Sequence, residues 1–274
     1  MVTSDYKKSI ELAMDFIKNA WITNVQDPKY YGYNHAYLLD KGRWNGAYTE
    51  LGMQVIYDAL IPYYEYRKDP TWLNLAERII LEWAIPRLQD SDLHSITYGA
   101  LLEPYIYYQG SSEWCDYDTF NAANGILAFL MVYKHTENKA ILDSVHLTSG
   151  FLRRMTNMDH SLKMGYTART DKMDFRTPVY SPGYAAWAYS YWHHLSGEET
   201  YKKLAIEYCD WIIAQQRSNG WLSPNETEVA EFMIYATEGL YWAGKHCNED
   251  RLIDKAKITL DALIAAKKNG PGNL

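Results

Sequence analysis

Gly183-Tyr-Ala-Ala-Trp-Ala-Tyr-Ser-Tyr-Trp192, followed after a polar break by Tyr201-Lys-Lys-Leu-Ala-Ile-Glu-Tyr-Cys-Asp-Trp211, is the stretch that decides the fold. The first segment carries no charge and shows aromatic or small side chains on most sides. A helix of that kind has to be enclosed. The second alternates charged and apolar positions at helical spacing, so one face is buried and the other wet. An enclosed helix joined by a short turn to an amphipathic one is an αα-hairpin with an inner and an outer member.

The same unit recurs along the chain. Asp69 is followed at +3 by Trp72 and at +7 by Ala76; Glu137 by Ala140 and Ser144; Glu198 by Tyr201 and Ala205; Glu249 by Leu252 and Ala256. In each case an acid opens a helix, where the helix dipole favours it, and a small residue one turn further allows close packing. The pattern predicts a first helix over Ser4–Ala20. Four hairpins follow: Tyr48–Tyr66 with Thr71–Leu88, Thr119–Tyr133 with Lys139–Met155, Pro182–Leu195 with Glu199–Gln216, and Thr227–Lys245 with Asp250–Lys267. Pro62 and Pro86 are expected to kink or stop their helices. The expected fold is all-α: an α/α toroid of inner and outer helices, as a closed or an incomplete ring. It is read as one domain over residues 1–267, with a frayed tail over 268–274.

Inner-to-outer turns are short. Outer-to-inner connections are long: Trp21–Ala47, Gln89–Asp118, Thr156–Ser181 and Arg217–Glu226. In an up-down ring all the long ones emerge on one face, and long loops in a compact domain usually carry function. They hold Arg43, Trp44 and Tyr48; His94, Trp114, Asp116 and Asp118; Arg176 and Tyr180; and Trp221, with Glu231 one turn into the last inner helix. Tyr184 and Trp187 stand just inside the third inner helix.

Composition narrows the ligand. A net charge of −7 argues against nucleic acid, whose phosphates require basic patches. There are 25 Tyr and 10 Trp against 6 Phe, an excess of rings that both stack and hydrogen-bond. That combination suits a sugar. No run of about 18 apolar residues is present to span a membrane, and no secretory leader pattern opens the chain, so a cytoplasmic protein is expected. Three cysteines in no zinc spacing, and no His-x-x-x-His pair, point to no metal and no cofactor.

Glu113-Trp114-Cys115-Asp116-Tyr117-Asp118-Thr119-Phe120 concentrates acids and aromatics at the entrance of an inner helix. Asp118 or Thr119 suits the N-cap. Burial beside Trp114 would raise a carboxyl pKa while the helix terminus would lower it, so the sign stays open here. One of Asp116 and Asp118 is the expected proton-transferring group, with Glu231 and Tyr180 as partners. Arg43, Trp44, Tyr48, His94, Trp114, Arg176, Tyr184, Trp187 and Trp221 are expected to bind the substrate. His193-His194 lies at the short-turn end and is read as structural.

Three family resemblances follow. Trp114-Cys-Asp116-Tyr-Asp118, with Ser181-Pro-Gly183-Tyr-Ala-Ala-Trp187 (without the arginine that precedes the glycine there), resembles the unsaturated uronyl hydrolases, which implies an Asp general acid/base. The aromatic hairpins with Asn124-Gly125 resemble the C-terminal domain of glucuronyl C5-epimerases, which implies tyrosines and a carboxylate moving a C5 proton. Trp211-Ile-Ile-Ala-Gln-Gln216-Arg-Ser-Asn-Gly220-Trp221 resembles, more weakly, the Gln-to-Trp repeat of squalene–hopene-type terpene cyclases. The leading expectation is an enzyme on a carboxylated, uronic-acid-type oligosaccharide, acting by glycoside hydrolysis. Epimerisation or elimination, terpene cyclisation, and a non-catalytic glycan- or protein-binding module are the alternatives.

Overall fold

Four two-residue turns set the frame. At Lys68, Glu137, Gly197 and Asn248 the backbone is left-handed, with φ of 57°, 51°, 74° and 56°. Such a residue ends a helix while its N–H still satisfies a late carbonyl, as from Lys68 to Tyr64 at 2.7 Å and from Gly197 to His193 at 2.7 Å. The next residue, Asp69, Asn138, Glu198 or Glu249, opens the following helix. Its carbonyl accepts from the N–H three residues on: Trp72 at 3.3 Å, Ile141 at 3.1 Å, Tyr201 at 3.2 Å and Leu252 at 3.0 Å. Asp69 and Asn138 also cap with their side chains. The second repeat therefore starts at Asn138, one residue later than the Glu137 that spacing selects; Glu137 is the left-handed residue. In the corrected register the +7 residues are Ala76, Val145, Ala205 and Ala256, all buried.

The structure, a computed structural model, describes residues 4–21, 37–44, 48–104, 115–222 and 230–269. Helix α1 is Ser4–Asn19. Helix α2 (49–67) and α3 (70–88) form the first hairpin. The rest are α4 (Thr119–Thr136) with α5 (Lys139–Met155), α6 (Tyr180–Ser196) with α7 (Glu199–Ala214), and α8 (Ala230–Cys247) with α9 (Asp250–Asn269). Helices α2, α4, α6 and α8 pack side by side as the inner layer, and α3, α5, α7 and α9 back them. Residues Tyr180 to Trp192 of α6 are all buried, as the uncharged run requires. The fold is an α/α toroid.

The two prolines do not stop their helices. Val55–Leu60 precedes Pro62 and Ile79–Leu88 contains Pro86, and both segments are π-helical. Proline lacks an N–H and its ring collides with the carbonyl four residues back; a wider turn relieves both. Glutamines tie the outer layer. Gln89 Nε2 donates to the Ser144 carbonyl (3.0 Å) and Thr148 Oγ1 (2.9 Å) on α5. Gln216 Nε2 repeats this on α9, to the Lys255 carbonyl (3.0 Å) and Thr259 Oγ1 (2.9 Å).

Short strands in the long connections were not anticipated. β1 (Tyr37–Leu38) pairs with β2 (Arg43–Trp44). β3 (Tyr117–Asp118), β4 (Gly165–Thr167) and β5 (Lys172–Asp174) form an antiparallel sheet, with Asp118 opposite Gly165 and Gly165 opposite Asp174. Two- and three-residue strands are too short to show an alternating pattern.

Helices α6 and α8 touch through backbone. A Cβ on Gly183 would lie 2.7 Å from the Ala236 Cα, and one on Gly239 would overlap the Gly183 carbonyl. Gly239→Ala is expected to destabilise the protein by about 2–3 kcal/mol through overpacking that no rotamer change relieves. Gly197→Ala, left-handed with open space around it, should cost only the conformational term of about 1–2 kcal/mol. Urea denaturation of both variants checks the order; equal losses would refute the seam.

Candidate active site

The N-termini of α2 and α4 meet on the long-loop side, and one amide joins their capping carboxylates. Glu103, from the second long loop, accepts from the Thr49 N–H at 2.8 Å. Asp118 caps α4 by accepting from the Asn121 N–H at 2.6 Å. Asn121 Nδ2 then donates to Asp118 Oδ2 at 3.0 Å and to Glu103 Oε2 at 3.3 Å. Glu103 is 1% exposed, and Asp118 is half-buried as a residue. The competition left open by the sequence resolves in favour of burial: it pushes the Asp118 carboxyl up to about 7 against the pull of the Asn121 and Phe120 N–H groups.

Asp116 is placed differently. Two positions apart would put two strand residues on one face, but only Tyr117 and Asp118 lie in β3, and Asp116 just before it follows its own course. Its fully buried carboxylate accepts from Arg169 Nε at 2.8 Å and the Arg169 N–H at 3.2 Å. Its carbonyl accepts from the Glu103 N–H at 2.7 Å, so it braces the segment that presents Glu103. Cys115, buried beside the pair, has its thiol pushed up to about 12 by burial and by Asp118, and so is not a nucleophile at neutral pH.

Tyr180 opens α6 and packs edge-to-face on Phe120, centroids 5.1 Å apart. Burial, then the Asp118 charge, pushes its phenol far above the usual value. Phe120 also meets Tyr184 at 4.9 Å and Tyr235 at 5.3 Å, which makes an aromatic floor. Tyr184 donates from its phenol to Glu238 Oε2 at 3.1 Å. Trp187 stands one turn deeper, against Tyr57 and Tyr184.

The remaining expected residues divide. Arg176 grips Asp174 at 2.5–3.0 Å, and its charge reaches Tyr180 and Cys115. Tyr48 immediately precedes α2 and is half-buried. Trp221 is partly buried against the core, its carbonyl accepting from the Arg217 N–H at 2.8 Å. His94 is exposed in a turn closed by Asp92, in a loop whose Gly99 rests on α5 rather than on the inner helices. The side chains of Arg43, Trp44 and Glu231, and all of Trp114, lie outside the described residues. Glu103 and Asn121 were not selected from sequence: Glu103 lies 15 residues before Asp118 and only the loop's return path brings it there. An Asn three residues after an N-cap Asp was the available signal.

Inner helices that open at their N-termini into a mouth of carboxylates and rings define the class: an α/α toroid with a polar mouth. No protein-family model matches the chain, and no curated protein matches it. Solved structures match its fold. A glycoside hydrolase family 76 (GH76) α-mannanase from Bacteroides thetaiotaomicron superposes with a TM-score of 0.70 at 12% identity, over 94% of this chain and 68% of that one. The cellobiose 2-epimerase of Bacillus thermoamylovorans gives 0.73 at 14% identity, over 98% and 73%. A GH76 α-1,6-mannanase from Salegentibacter sp., in complex with α-1,6-mannotetrose as an inactive variant with two adjacent aspartates replaced, gives 0.65 at 15%, over 97% and 71%. The chain thus spans roughly two thirds to three quarters of these proteins. What they share with it is the toroid; none of the three is a uronyl hydrolase, a C5-epimerase or a terpene cyclase.

The Asp118 carboxyl gives a pH signature. Its folded value near 7 exceeds the unfolded value of about 3.9. The protonated native form therefore contributes stability below about pH 4, and that contribution is lost as pH rises through about 7. Asp118→Asn stays neutral and still caps. The Tm of Asp118→Asn minus that of the wild type should rise steadily from pH 4 to pH 8; a flat difference would contradict the raised pKa. Asp116→Asn, which leaves Arg169 without its charge partner, should instead destabilise by about 1–3 kcal/mol at neutral pH, read by the same melts.

Proposed function

We propose that the protein is a carbohydrate-active enzyme that binds an oligosaccharide across the N-termini of its inner helices and transfers a proton through Asp118. The carrying observation is the Asp118 carboxyl, pushed up to about 7 by burial and joined to Glu103 through the Asn121 amide. A group whose pKa lies near the working pH is suited to both donating and accepting a proton. Tyr235, half-buried against Phe120, is the ring of this aromatic cluster that can stack on a sugar. The fold likeness to proteins described as mannanases and a sugar epimerase supports the same substrate class.

Glycoside hydrolysis is the reaction the site favours. Asp118 in its neutral form protonates the glycosidic oxygen, the bond to the anomeric carbon breaks, and water replaces the leaving sugar there. A second carboxylate has to assist that water or the anomeric carbon. The inactive mannanase variant lacks two adjacent aspartates, whereas this chain has no Asp-Asp pair and its Asp116 is tied to Arg169. The second group therefore comes from another segment, and Glu231 at the start of α8 is the candidate. Tyr180 acts as a neutral hydroxyl. Its raised pKa, and that of Tyr184, work against tyrosine-based proton abstraction, which would need an accessible phenolate.

The charges bear on the sugar. Glu103 and Asp118 lie at the mouth while Arg169 and Arg176 are joined to aspartates, which favours a neutral saccharide. A carboxylated sugar is the second reading, with Arg176 released from Asp174 or Arg43 as its bidentate partner and Trp44, Trp114 or Trp221 as the stacking surface.

On a panel of α-1,6-mannooligosaccharides, cellobiose and uronate oligosaccharides, reducing-end release and proton NMR should detect turnover of one class. Asp118→Asn should lower kcat by about 10²–10⁴ while oligosaccharide binding persists. Full activity in the variant would remove Asp118 from the chemistry. Binding without turnover by the wild type would make the protein a glycan-binding module.

A further inference from the structure

The mouth is one end of the ring axis. A cavity of about 420 Å³ lies along the inner helices toward the short turns, lined by Asp58, Glu65, Lys134, Trp187, Glu238 and Trp242, with His246 at its edge. A layer of side chains separates the two ends: Tyr57 donates to Asn124 Oδ1, and Tyr184 to Glu238. On one wall Trp187 and Trp242 are stacked, centroids 5.5 Å apart and planes within 12°.

The charges in this cavity do not balance. Asp58 and Glu65 enter from α2 and Glu238 from α8. Among the described residues the only lysine or arginine lining it is Lys134, which is committed to Glu65 at 2.8 Å, with His135 on the same oxygen at 3.0 Å. His246 shares its Nδ1 with Ser190 Oγ at 3.1 Å. Burial, and then His194 and His193, push its imidazole down to about 4, so it is neutral. Asp58 is pushed up to about 6 by burial and then by the facing Glu238 charge, and Glu238 is raised by its own burial. The phenols of Tyr57, Tyr184 and Tyr191 are neutral.

We infer that this cavity binds a small organic ammonium ion, with its nitrogen between Asp58 and Glu238 and its body against the Trp187–Trp242 stack. Two carboxylates from different helices that repel each other are relieved by a positive charge between them. Indole rings attract the same charge and cover an apolar body. A neutral ligand would leave the repulsion in place. An inorganic cation has no apolar body to cover the rings, and no group of three metal-ligating side chains is present among the described residues. The volume suits a ligand of roughly drug-fragment size. This reading is independent of the chemistry at the mouth.

Benzylamine and its neutral analogue benzyl alcohol test it, by tryptophan fluorescence and calorimetry on the whole protein at about pH 8, above the ordinary carboxylate range. Benzylamine should bind saturably and roughly tenfold or more tighter than benzyl alcohol. Its affinity should fall as pH drops below about 6, where Asp58 takes up a proton. Asp58→Asn, Glu238→Gln and Trp242→Leu should each weaken it by about tenfold or more, while Asp118→Asn should leave it unchanged. Circular dichroism checks that each variant folds, and Asp58→Asn keeps the test open where Glu238→Gln suffers from losing its tie to Tyr184. Equal binding of the two probes, full affinity in Asp58→Asn, loss in Asp118→Asn, or no saturable benzylamine binding would each overturn the inference.

Discussion

In this chain each turn of one left-handed and one extended residue joins two helices that run antiparallel and in contact. Four such turns, at residues 68–69, 137–138, 197–198 and 248–249, therefore dictate the direction of every helix after α1. Once each inner helix must reverse within two residues at its C-terminus, all the length available for binding collects at its N-terminus. The partial positive charges of those N-termini then face the same loops. The position of the mouth is a consequence of turn length more than of any residue in it.

Those N-termini also explain why carboxylates occupy the mouth. The first N–H groups of a helix have no partner within it, and here Glu103 satisfies α2 while Asp118 satisfies α4. A cap so arranged would ordinarily lower a carboxyl pKa. Burial reverses the sign at Asp118, because removing water from a charge costs more than the donated hydrogen bonds return. Capping and acid chemistry are thus compatible in one side chain. Asp116, whose partner is Arg169, serves the architecture that holds the other two in place.

The inner helices are polar along the axis despite their apolar composition. Tyr57, Tyr184 and Asn124 place hydrogen-bonding groups in the layer between the two ends, and the tyrosine excess finds its use there and in the outer layer, where Tyr189 meets Ser149 and Tyr208 meets Thr156. Each phenol spans an aromatic contact and a hydrogen bond, which phenylalanine could not do. Glu238 and Asp58 sit beyond that layer, where the ring provides space but little countercharge.

The helices, their pairing and their inner or outer rank were legible in the sequence, because uncharged runs such as Tyr184 to Trp192 and amphipathic runs such as Tyr201 to Trp211 state their burial residue by residue. Connection length alone singled out the long-loop side, where Glu103 and Asp118 cap α2 and α4. Local spacing misplaced the start of one repeat, at Glu137, since an acid and a left-handed residue are both common where a helix ends. The joining of Glu103 to Asp118 through Asn121, the engagement of Asp116 by Arg169 and the opposition of Asp58 to Glu238 were decided only by the tertiary structure. Each joins residues from separate segments, and no local pattern of hydrophobicity or capping encodes a distance that is fixed by the packing of the ring.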